Sequence, residues 1–89
     1  MKHTKEQKDF LLQFGNKVHE YRTKKKLSFR ALSQQCDIDF ADLNRIEKGK
    51  RNITLLTALE LSHGLGIQPK DLFDFEIPED TEDEKPTDK

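Results

Sequence analysis

Apolar residues recur at helical spacing along most of the chain, and no stretch shows the strict alternation with β-branched enrichment that a strand needs. The pattern predicts an all-α protein. Phe10, Phe14, Val18 and Tyr21 step by four, four and three along one face of a first helix from about Lys5 to Lys26, with Lys and Arg on the other faces. Leu27 then packs at a turn. Ser28 is a good N-cap for a short second helix reaching about Gln35, with Leu32 and Ser33 facing inward. Cys36 and Asp37 form the next turn. Asp39 offers another N-cap, with Asp42 three positions on, for a third helix carrying Leu43 and Ile46 and stopped by Gly49. Thr54 caps a fourth helix in which Leu55, Ala58, Leu59, Ser62 and Leu65 repeat at three and four until Gly64 and Gly66 end it. Pro69 opens a last short helix through Lys70, Asp71, Leu72 and Phe73, where the missing proline N–H has no partner to lose.

A chain of 89 residues supports one domain with a small core, which excludes a large enzyme. Leu, Ile, Val and Phe total 23 residues, above the roughly 20% below which disorder is the default, so most of the chain is expected to fold. No apolar run of about 18 residues and no signal-peptide pattern follow Met1, so neither a membrane span nor a secretory route is expected. A lone cysteine, Cys36, fits a reducing cytoplasm. From Pro78 to Lys89 there is no apolar residue at all, which predicts a disordered acidic tail at 78–89 behind a folded domain at 1–77.

The formal net charge of -1 conceals a division along the chain. Residues 1–30 carry nine positive and three negative side chains, residues 31–73 five and six, and residues 74–89 two and eight. A basic N-terminal third cancelled by an acidic end points towards a nucleic-acid or membrane partner.

Two short helices joined by a tight turn have the geometry that sets a second helix into the major groove, although any small bundle has neighbouring helices. The residues narrow this. Leu27-Ser28, Leu32-Ser33, the turn at Cys36-Asp37-Ile38 and the run Leu43-Asn44-Arg45-Ile46-Glu47-Lys48-Gly49-Lys50-Arg51-Asn52 closely resemble the helix-turn-helix of the lambda-repressor-like (XRE, Cro/CI-type) DNA-binding domains. The resemblance extends over about residues 10–73, including Leu65-Gly66-Ile67 and Asp71-Leu72-Phe73. It implies a compact five-helix bundle that binds double-stranded DNA. It also implies base reading from Asp39, Phe40, Ala41, Asn44 and Arg45, and backbone contacts from Ser28, Phe29, Arg30, Lys48, Lys50, Arg51 and Asn52. Arg45 is the leading base reader, since its planar fork matches guanine O6 and N7. Arg22 and Glu47 stand where many members of the family form an ion pair between the first and third helices, which gives them a structural role.

The sequence departs from the family at the opening of the third helix, where Asp39, Phe40 and Asp42 replace the usual Gln, Ser, Thr or Arg. Asp39 and Asp42 read first as caps and dipole partners, second as acceptors for cytosine N4. Phe40 reads equally as a thymine-methyl contact or as a protein-facing residue. Asp37 stands in for a turn glycine, a substitution that its tolerance of left-handed backbone permits.

The other chemistries are weaker. His3, His19, His63 and Cys36 have no zinc-site spacing, and the glycines form no phosphate loop, so neither metal nor cofactor is expected. The expected function is that of a cytoplasmic transcriptional regulator, a homodimer on a palindromic operator. Leu56, Leu72, Phe73, Phe75 and Ile77 are candidates for its dimer surface. The alternative is a protein-interaction module on the same fold, an antitoxin or anti-regulator, favoured by Phe40, Asp39 and Asp42.

Overall fold

The computed structural model describes residues 4–77; the tail expected at 78–89 lies outside them. Five helices follow in order: α1 Lys5–Lys24, α2 Phe29–Gln35, α3 Phe40–Glu47, α4 Leu55–Leu65 and α5 Pro69–Leu72. There is no strand among the described residues. Side-chain oxygens cap the first four. Thr4 accepts from Gln7, Ser28 from Ala31, Asp39 from Ala41 and Thr54 from Thr57, each satisfying a backbone N–H that the first turn leaves without a partner.

α1 stops at Lys24, two residues short of the expected Lys26. Lys25 is the cap and Lys26 takes a left-handed φ of 58°, which turns the chain sharply enough for the Leu27 N–H to donate to the Arg22 carbonyl at 3.1 Å. The Arg22 guanidinium returns a bond from Nη1 to the Leu27 carbonyl at 2.7 Å, so the corner is tied from both sides.

Asp37, by contrast, does not take the left-handed conformation expected of it; Lys26 is the only non-glycine residue with positive φ among those described. Four residues, 36–39, are enough to close the turn between α2 and α3 with extended backbone at Cys36 and Asp39.

The core is formed by Phe14, Val18, Leu32, Cys36, Leu43, Ile46, Ala58, Leu61, Leu65 and Leu72. α1 packs along α3 and also reaches α4 and α5, while α2 bridges α3 and α4. Gly15 makes the α1–α3 approach possible, because a Cβ there would collide with the main-chain carbonyls of Ile46 and Glu47.

Two expectations change in the second half of the domain. The inward face of α4 is Ala58, Leu61, Ser62 and Leu65, whereas Leu55 is 84% exposed and Leu59 48%. A leucine-rich helix carries two overlapping stripes of helical spacing, and the stripe that is buried depends on where α2 and α5 sit. Gly64 lies inside α4, packed against Leu32 and Cys36, and it is Gly66, at φ 70°, that ends the helix.

Leu72, expected at a dimer surface, is fully buried because α5 folds back across the core. Phe73 and Phe75 pack on α1 at ring-centroid distances of 5.1 Å to Phe14 and 5.4 Å to Phe10, respectively. Leu56 and Ile77 of that set remain largely open to solvent.

Candidate nucleic-acid interface

α3 is held from behind by Leu43, Ile46 and Glu47, all buried, and so presents its other face outward. Glu47 is the polar anchor. Its carboxylate accepts from Arg22 through Nε and through Nη2, the latter at 3.1 Å, with the two side chains 5% and 11% exposed. His19 Nδ1 lies 2.9 Å from the same carboxylate. Arg22 also stacks over Phe29, 4.0 Å from the ring centroid, so an aromatic ring covers one face of the guanidinium while its N–H edges are hydrogen-bonded. These contacts fix the angle between α1 and α3 and seat the start of α2 beside them.

The residues expected to read bases fall into two groups. Asp39 is engaged in capping, its Oδ2 accepting from the Ala41 N–H at 3.1 Å, which supplies the physical reason for an acid at this position. Ala41 and Asn44 are half-buried at the helix surface. Phe40, 43% exposed, lies under the Arg30 guanidinium at 4.8 Å, which links the openings of α2 and α3 across the turn. Arg45 projects outward and donates from Nη1 to Asp42 Oδ1 at 2.8 Å.

The residues expected to meet phosphates are spread over the corner of α2 and the loop after α3. Ser28 is committed to capping α2, and Phe29 packs partly into the core, so these two position the helix. Arg30, Lys48, Lys50, Arg51 and Asn52 are accessible. The loop folds back along α3, enclosing a cleft of about 220 Å3 whose lining includes Asp39, Asp42, Arg51 and Asn52. Arg51 Nη1 thereby comes within 3.3 Å of Asp42 Oδ1. Sequence reasoning missed this bridging role of Asp42. The three-residue spacing to Arg45 is a local signal from which the first contact could have been read, but nothing local signals the second, which depends on the path of the loop. The part played by His19 was missed for the same reason, since 28 residues separate it from Glu47.

Cys36 closes α2 from inside, its Sγ donating to the Leu32 carbonyl at 3.3 Å. Burial pushes its thiol above the ordinary value, Glu60 and Asp37 add to the rise, and a backbone hydrogen bond from Ile38 opposes it. Such a thiol packs as a small hydrophobe and is a poor nucleophile. Among the described residues no group of three or more His, Cys, Asp or Glu is placed to hold a metal ion, and no helix is long and apolar enough to cross a membrane.

Comparison with known proteins agrees with this geometry. A family profile described as helix-turn-helix matches residues 18–72. The chain is 42% identical over 65 residues to the control protein C.BamHI of Bacillus amyloliquefaciens, a match spanning 72% of this chain and 80% of that protein. It is 39% identical over 66 residues to the control protein C.MunI of a Mycoplasma species, spanning 73% of this chain and 89% of that one. The crystal structure of the restriction-modification controller protein C.AhdI from Aeromonas hydrophila superposes with a TM-score of 0.69 at 36% identity, over 71% of this chain and 96% of that one. With the buried Arg22–Glu47 brace, the capped α2–turn–α3 unit and these matches together, the chain belongs to the helix-turn-helix family of the lambda-repressor-like, XRE type.

Proposed function

We propose that this protein is a sequence-specific DNA-binding transcriptional regulator of the cytoplasm that controls a restriction-modification system, acting as a homodimer on a palindromic operator. The observation that carries the reading is the 42% identity to a control protein across 72% of the chain, a span long enough to hold the whole helix-turn-helix. In this reading α3 enters the major groove. Arg45 reads guanine with its two-pronged donor, and Asn44, Ala41 and Phe40 line the remaining base edges. Arg30, Lys48, Lys50, Arg51 and Asn52 contact the backbone, setting affinity and register without selecting sequence.

The dimer surface is the outward stripe of α4. Leu55, Leu56 and Leu59 are 84%, 72% and 48% exposed, an unusual density of open leucines for one helix. Leu55 borders a cleft of about 240 Å3 that Phe10, Phe14 and Phe73 complete. A two-fold pairing of this surface sets the two α3 helices to read half-sites about 10 bp apart.

The rival reading, a protein-interaction module, drew on the acids at the start of α3. Both are accounted for internally, Asp39 by the cap and Asp42 by Arg45 and Arg51, which removes most of its support. Phe40 still favours it. Binding of nonspecific duplex across a salt series separates the two: a DNA reader loses affinity steeply as salt rises, and a protein binder has little affinity at any salt. Absence of salt-dependent binding overturns the regulator reading.

A further inference from the structure

One acidic side chain on the outward face of α3 has two cationic partners. Asp42 Oδ1 accepts from Arg45 at 2.8 Å, three residues along the same helix, and lies 3.3 Å from Arg51 in the loop beyond it. The three side chains are 31%, 56% and 49% exposed, so all are open to exchange with another partner. A single carboxylate oxygen therefore engages both the residue assigned to base reading and a residue assigned to phosphate contact.

We infer that Asp42 attenuates DNA affinity: it is an internal competitor that Arg45 and Arg51 must give up before they engage DNA. The inference rests on the reading of α3 as the recognition helix. Every duplex offers phosphates, and the nonspecific term grows with the number of cations free to displace counterions. Asp42 withholds about one unit of positive charge from that term. Guanine and phosphate both offer two acceptors to the arginine fork where Asp42 accepts a single hydrogen bond from Arg45, so the pair is given up at a matching base and along the backbone alike. An exposed ion pair is weak enough to be exchanged in this way. The carboxylate thus costs affinity on every sequence.

Asp42 also sits in the first turn of α3, where an acid complements the helix dipole. That role alone moves the melting temperature and nothing else. The discriminating experiment uses Asp42→Asn, which keeps the shape and removes the charge. Its binding is measured on a duplex enriched by the wild-type chain from a random pool and on a scrambled duplex of the same length and composition. Across a salt series the variant is expected to bind the scrambled duplex several-fold more tightly at about 0.1 M salt, with the slope of log K against log salt steeper by about 0.9. The enriched duplex gains by at least the same factor, so the ratio of enriched to scrambled affinity does not fall. Asp42→Ala shifts both readouts in the same direction and serves if the first variant folds poorly. An unchanged slope and an unchanged affinity for the scrambled duplex, whatever happens to the melting temperature, overturn the role of Asp42. If the wild-type chain enriches no sequence, it is the regulator reading that fails.

Discussion

Glu47 is 8% exposed and carries a full charge at the junction of α1 and α3. Its partner Arg22 is almost as well covered, so neither charge is cheaply returned to water. Breaking such a pair by removing one member leaves the other buried and uncompensated, at a cost of about 3 to 5 kcal/mol. Glu47→Ala is therefore expected to lower stability by that order in denaturant unfolding; an unaltered curve contradicts the brace. Cys36 gives a second expectation at this scale. The folded state holds the thiol proton more tightly than the unfolded chain, so this contribution is intact below the ordinary thiol range and is lost as pH rises through the raised native value. Stability is expected to decline on that alkaline side. A small disulfide reagent is expected to modify Cys36 far more slowly in the native protein than in denaturant, and equal rates refute the burial argument.

At the level of helices, the interlock of α1 with α3 depends on Gly15, whose missing side chain lets the Ile46 and Glu47 carbonyls approach. Gly15→Ala forces the helices apart and is expected to cost about 1 to 3 kcal/mol in thermal unfolding, the range for overpacking; a neutral result contradicts the close approach. The five elements and three of their caps were legible because each cap is a local event, Ser28, Asp39 and Thr54 each bonding a residue two or three positions on; the Thr4 cap of α1 was missed. What was not legible depends on tertiary placement. The spacing of leucines in α4 allowed two inward faces, and only the seats of α2 and α5 decide for Leu61 over Leu55. Leu72 looked like surface because a four-residue helix has no periodicity to read. The candidate site was legible in its residue types through the family resemblance, while the bridging of Arg45 and Arg51 by Asp42 required the loop to be seen folded back along α3.

For the molecule as a whole, charge is divided sharply along the chain. Residues 1–73 hold fourteen positive and nine negative side chains, and residues 74–89 hold two and eight. An acidic segment tethered to a DNA-binding domain competes with phosphates for its basic face, more strongly at low salt. Truncation after Ile77 is expected to tighten nonspecific duplex binding at low salt, with the gain fading as salt rises; unchanged affinity assigns the segment no such role. The central claim, that α3 reads sequence from a two-fold assembly, is tested most directly by selecting bound duplexes from a random pool. The account predicts enrichment of a palindrome with half-sites centred about 10 bp apart. It further predicts that Arg45→Ala loses selection at one position in each half-site, weakening discrimination there by about 1 to 3 kcal/mol. Failure to enrich any sequence, even at low salt, contradicts it.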